Sequence, residues 1–186
     1  MERFSIDDSL SSWDVPAEEW LVAHKKDKEW DGLATANVVF NKEGKILLIQ
    51  RASTDSLPDR WELPGGAVDD EDLTILHGAA RELAEETGLS AKRFLHVVTE
   101  GPGREPGHAF PNSSKTKMWC RFTFNVEVDD CDSVNLDPEE HQDFAWASEH
   151  EFTERRSRGR ELMITRDSVA ALVTEAFRAR GESSSR

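Results

Sequence analysis

Three glutamates, Glu82, Glu85 and Glu86, fall within five consecutive positions of the stretch RELAEETGL. On an α-helix these positions are three and four residues apart, so they share one face with Cβ atoms about 5 to 6 Å apart. Like charges at that spacing cost about 0.2–0.5 kcal/mol per pair. They also stand at the C-terminal end of the expected helix, where the helix dipole disfavours anions. Helix propensity alone does not select this arrangement, and Arg81 offsets only part of it by pairing with Glu85 one turn away. A hard divalent cation accounts for it. Mg²⁺ takes carboxylate, water and phosphate oxygens in octahedral geometry. Ions held this way bridge a pyrophosphate, polarise phosphorus and acidify an attacking water. Gly65 and Gly66, just upstream, offer a backbone carbonyl and close backbone approach beside the same face.

The elements that must position these acids are legible around them. WEL (61–63) reads as a short strand ending at Pro64-Gly65-Gly66. A helix is expected at about 74–87, with Leu76, Ala79, Ala80, Leu83 and Thr87 as its buried stripe and Gly88 as a left-handed cap. Ahead of it, LATANVVF (33–40) and KILLIQRA (45–52) flank Asn41-Lys42-Glu43-Gly44, a hairpin signal. Their near-continuous apolar runs suit strands covered on both faces. FLHVVTE (94–100), TKMWCRFTFNVEV (116–128) and DFAWAS (143–148) read as further strands. Residues 101–115 read as a long surface loop. Ser148 resembles the start of a short helix, and residues 167–180 form a final amphipathic one.

The whole chain sets outer limits. Its 186 residues suit one domain with an appended segment. Residues 1–32 read as an N-terminal extension with a short helix at about 16–24, started by Asp14 and Pro16. Residues 33–180 form the main domain, and 181–186 a flexible tail. No apolar run reaches membrane-spanning length, and no secretory signal opens the chain. Cys120 and Cys131 are not spaced as a metal knuckle and read as reduced thiols. A cytoplasmic location is therefore expected. The formal net charge of −14 argues against polymeric nucleic acid as a partner. A small phosphorylated substrate fits, because bound cations reverse the local charge. A homodimer is left open.

Gly66 to Leu89 resembles the Nudix box, G-x5-E-x7-R-E-U-x-E-E-x-G-U with U aliphatic. Arg81, Glu82, Leu83, Glu85, Glu86, Gly88 and Leu89 match it. The upstream part departs by one extra residue. Counting from Gly66 puts the first box acid at Asp72, whereas counting back from Arg81 puts it at Leu73. Asp72 is accordingly read as a residue of the helix start. The resemblance implies an α/β fold, an α/β/α sandwich around a mixed β-sheet. It also implies Mg²⁺- or Mn²⁺-dependent hydrolysis of a nucleoside diphosphate linked to another group. Carried over, Glu82, Glu85 and Glu86 would be metal ligands together with the Gly65 carbonyl, and Arg81 would orient a glutamate. The catalytic base would be a box glutamate, Glu85 or Glu86, or a distant one: Glu140 first, then Glu139 and Glu100.

Three residues are candidates for substrate contact: Arg51 through its guanidinium fork, Trp61 by stacking on a base, and Gly66 by backbone approach. His108 and Phe110 could recognise the leaving group. The function expected is a metal-dependent pyrophosphohydrolase acting on a nucleoside diphosphate derivative or related organic diphosphate. The second reading is a catalytically silent nucleotide-binding or regulatory module of the same fold. A Ca²⁺ loop of the EF-hand kind is absent.

Overall fold

The computed structural model describes residues 4–25, 29–112 and 114–183. In chain order the elements are β1 (Ser5–Ile6), a 3-10 helix (Asp8–Trp13), α1 (Ala17–His24), β2 (Gly32–Val38), β3 (Ile46–Arg51), β4 (Trp61–Glu62), α2 (Ile75–Thr87) and β5 (Ala91–Val98). Then come β6 (His108–Pro111), β7 (Met118–Val128), β8 (His141–Ala147), α3 (Glu149–Thr153), β9 (Arg156–Ser157), β10 (Arg160–Glu161) and α4 (Asp167–Ser183). Among the described residues three sheets are built from them, the smallest being the antiparallel pair β9-β10. Of the larger two, one runs β1-β5-β7-β2, with β6 also on β7, and the other runs β4-β3-β8. The first is mixed: β2 lies parallel to β7, while β5 and β6 lie antiparallel to it.

Strand β3 shows why the apolar run is continuous. Leu47 and Ile49 point into a core shared with α2, whereas Ile46 and Leu48 point into a second core shared with α4. Alternate side chains of a strand face opposite ways, so a strand between two helical layers needs apolar residues at every position. In α2, Leu76, Ala79, Ala80 and Leu83 are at most 2% exposed. Truncating Leu83 to Ala would cost about 2–5 kcal/mol. The helix starts at a Thr74 cap whose side chain accepts from the His77 N–H, and ends at Gly88 with φ 70°.

Several expectations are corrected. The 33–52 hairpin exists only at its base, where Phe40 bridges Ile46 and the Leu47 N–H donates to Val39. Beyond it the strands enter different sheets, because each pairs a different distant strand, β7 or β8. Residues 101–115 are not all loop, since β6 pairs with β7. Asp14 does not cap α1; Pro16 occupies that position. The N-terminal segment is bound into the fold, with β1 on β5 and Leu10 and Trp20 in the first core. Helix α4 continues through Ser183, so residues 181–183 are helical. Residues 184–186 of the expected tail lie outside the described residues. Among the described residues, no helix is long and apolar enough to cross a membrane.

Candidate active site

The Pro64-Gly65-Gly66 turn brings β4 against the acidic face of α2. Gly65 has φ 148°, and a Cβ there would lie 2.6 Å from Ala36 Cα. A Cβ at Gly66 would collide with the Glu82 carboxylate. Only glycine allows both approaches. The Gly65 N–H donates to Glu86 Oε2 at 2.6 Å.

Glu86 is 6% exposed. Burial pushes its carboxyl well above the usual range, and Glu62, Glu82 and Glu140 add to the push, while the Gly65 N–H opposes it. Burial also raises Glu82, against the pull of Arg81. Glu85 is the outermost of the three, its side chain 61% exposed. Arg81 ties the face together. Its guanidinium donates to Glu82 Oε1 and Glu85 Oε2, each at 2.9 Å, to the Ala67 carbonyl, and to both Asp72 oxygens at 3.0 Å. Every N–H of the guanidinium is thereby used.

Asp72 is thus not merely a residue of the helix start. It grips Arg81 through two bonds and accepts from the Asp69 N–H. Burial opposes its ionisation, but Arg81 prevails and holds it below the usual carboxylate range. The extra residue of the loop is absorbed before the Thr74 cap.

From the other sheet, the turn after Asp137 delivers Glu140 and His141. The His141 N–H donates to the Asp137 carbonyl at 2.8 Å, and the Ala52 N–H donates to the Glu140 carbonyl. Glu86, Glu140 and His141 each present one ligand atom, all within 4.8 Å of one another. His141 Nε2 lies 3.8 Å from Glu86 Oε1 and 3.6 Å from Glu62 Oε1. Neither His141 nor Glu62 was singled out in the sequence. Their signals were adjacency alone, to Glu140 and to Trp61.

The remaining candidates separate. Arg51 donates at 2.5 Å to both Glu62 and Asp55, so its fork is engaged by carboxylates. Burial lowers its pKa, but those partners prevail and raise it. Trp61 is 2% exposed and packs in the second core; stacking on a substrate base does not fit that position. Glu100 pairs with His108 Nδ1 at 2.5 Å and is not a member of the Glu86, Glu140 and His141 group. Glu139 is exposed on the same turn as Glu140.

Beside the turn opens a cleft of about 540 Å³ reaching Glu62, Gly65 and Gly66. Its opposite wall is the β6–β7 pair. His108 faces Arg121 and Phe110 faces Trp119 in register, and all four line the cleft with Lys117 and Arg166. Burial lowers the Arg121 pKa; its guanidinium sits 5.9 Å from the Phe110 ring. An acidic protein therefore carries a local basic and aromatic wall in the cleft that reaches Glu62 and the glycine turn.

The model of the NUDIX domain matches residues 30–166. The chain belongs to the Nudix hydrolase family. Among its Nudix relatives, an RNA pyrophosphohydrolase from Caulobacter vibrioides is 32% identical over 119 residues, 59% of this chain and 66% of the relative. A CMP-5'-(N-acetyl-N-hydroxy-3-aminopropyl)phosphonate hydrolase from Streptomyces rubellomurinus is 42% identical over 66 residues, 35% of this chain and 31% of the relative. The crystal structure of a MutT protein from Methanosarcina mazei Go1 superimposes with a TM-score of 0.57 at 23% identity, covering 81% of this chain and 95% of that one. That likeness supports the α/β Nudix fold.

Proposed function

We propose that this Nudix protein is a divalent-metal-dependent pyrophosphohydrolase whose substrate is a nucleotide carrying a diphosphate linkage. One observation carries the reading: the cleft whose wall bears Arg121, Arg166 and Lys117 is also lined by Gly65 and Gly66, the turn that abuts the Glu86 and Glu82 carboxylates. A phosphate chain bridged to cations at one end, with its nucleoside toward the wall, has the complementary charge. The two relatives described above are named for RNA and for a CMP conjugate, which supports a nucleotide.

The donor set fits the cation. Crowded, buried carboxylates are costly unless a positive charge joins them, and Glu82, Glu85, Glu86 and Glu140 would hold it with the Gly65 carbonyl. When bound, Mg²⁺ or Mn²⁺ supplies charge neutralisation and a more acidic water. The chain's own groups do the rest. Arg81 keeps Glu82 and Glu85 in place, and Gly65 fixes the rotamer of Glu86. Glu140, exposed at the cluster's edge, stands where a proton can be taken from water, with Glu85 and Glu86 as the box alternatives. Phe110 offers a stacking face and Arg121 a cation for the nucleotide.

The test is a hydrolysis screen with Mg²⁺ and with Mn²⁺ over nucleoside triphosphates, nucleotide sugars, dinucleoside polyphosphates and a 5'-triphosphorylated RNA oligonucleotide, read by ³¹P NMR. Cleavage of a phosphoric anhydride in a mononucleotide derivative is expected. Turnover of the RNA alone would move the substrate to a polymer end. Tight binding of the panel without product would instead support the silent binding module.

A further inference from the structure

We propose that His141 is a nitrogen ligand of the divalent cation held by Glu86 and Glu140, and that it biases the site toward Mn²⁺ over Mg²⁺. The inference rests on the metal-dependent reading above and goes beyond the box carboxylates.

His141 is 3% exposed, and among the described residues neither ring nitrogen has a hydrogen-bond partner. A buried polar group in that state is costly, and buried imidazoles ordinarily bond through a ring nitrogen. The ring is aimed at carboxylates whose other valences are taken. Glu86 spends Oε2 on the Gly65 N–H, leaving Oε1 facing His141 Nε2. Glu62, the nearer acid, already has its Oε1 neutralised by Arg51 at 2.5 Å.

The backbone presets the ring. Its own N–H is fixed to the Asp137 carbonyl, and it pairs with Arg51 where the β3–β8 register shifts. Ligands at about 2.1 Å from one ion lie up to about 4.2 Å apart. The three ligand atoms here span at most 4.8 Å, so side-chain movement on the order of half an ångström closes the set. Mg²⁺ prefers oxygen and sheds water reluctantly, whereas an imidazole favours first-row transition ions.

The test is electron spin echo envelope modulation on the full-length protein loaded with Mn²⁺, natural and with ¹⁵N-labelled histidine. The expected spectrum shows a directly coordinated nitrogen that changes with the label and disappears in His141→Gln. In competition calorimetry, the ratio of Mn²⁺ to Mg²⁺ affinity falls about tenfold or more in that variant. A wild-type spectrum showing Mn²⁺ bound by oxygen alone overturns the inference and leaves the metal-dependent reading standing. Nitrogen coupling that survives in His141→Gln also overturns it. Failure of the wild type to bind Mn²⁺ overturns both. The wild-type spectrum decides even where the variant does not fold.

Discussion

Asp72 and Arg81 meet through two bonds of 3.0 Å, from Nε to Oδ1 and from Nη2 to Oδ2. This fork anchors the arginine that holds Glu82 and Glu85, and it tolerates an upstream loop one residue longer than the family pattern. The Asp72 carboxylate packs over Gly78, where a Cβ would lie 2.8 Å from Oδ2. An alanine inside a helix normally stabilises by about 1 kcal/mol over glycine. Here Gly78→Ala is expected to destabilise, because the displaced carboxylate is the one gripping Arg81. In an Asp72→Ala background the penalty should shrink, with only Val68 Cγ1, 3.1 Å from that Cβ, still to give way. Chemical denaturation of the four proteins of this cycle checks the destabilisation and its reduction.

Glu86→Gln separates stability from metal binding. It removes a buried charge flanked by Glu62, Glu82 and Glu140, while its amide oxygen can still accept from Gly65. Without metal the variant should be more stable than the wild type, because a buried carboxylate among like charges is costly. The rise in Tm that the wild type shows on adding Mn²⁺ should shrink or vanish. Scanning calorimetry with and without the ion reads both.

Phe110 is half-buried on the cleft wall. If a nucleobase stacks there, Phe110→Ala removes about 1–3 kcal/mol of binding. The expected signature is a KM raised roughly tenfold with kcat little changed, since uniform binding is lost. A fall in kcat alone would place the ring in the chemistry rather than in recognition.

Acid should act through Glu151. Its carboxylate takes the Ser148 N–H and both the Ser148 and Ser157 hydroxyls, closing the cap of α3. The Ser148 N–H leads in lowering its pKa from an ordinary 4.5 to about 2. A depressed carboxylate stabilises fully above its ordinary pKa and loses that contribution as pH falls through the folded value. The Tm difference between wild type and Glu151→Gln should therefore be full above about pH 5 and fade toward pH 2.

The sequence carried the helix, its C-terminal cap and the glutamate face because each has a local cause: the apolar stripe from Leu76 to Leu83, the Gly88 left-handed turn, the i+3 and i+4 spacing; the Thr74 cap it did not mark. It also placed Glu140 among the distant acids, and the fold does set that residue beside Glu86. What it missed depends on pairing between distant strands. The 33–52 runs read as a hairpin because turn chemistry is local, whereas their division between two sheets is decided by β7 and β8. Strand β6 was hidden by Gly107 and Pro111 at its ends, and with it the pairing of His108 with Arg121 and Phe110 with Trp119. His141 and Glu62 gained their meaning only when β3 brought β4 and β8 to the same edge of the site.

The central claim is that the Glu82, Glu85 and Glu86 face, completed by Glu140, holds a cation needed for pyrophosphate cleavage. The most direct measurement is steady-state turnover of the best substrate from the screen, with Mg²⁺, with Mn²⁺ and with excess chelator. It should compare the wild type with Glu82→Gln and Glu86→Gln, after circular dichroism confirms the fold. The account predicts no turnover with chelator and a loss of about 100-fold or more in each variant, the scale expected when metal-dependent electrostatic stabilisation is removed. Wild-type rates in chelator, or undiminished rates in both variants, would contradict it.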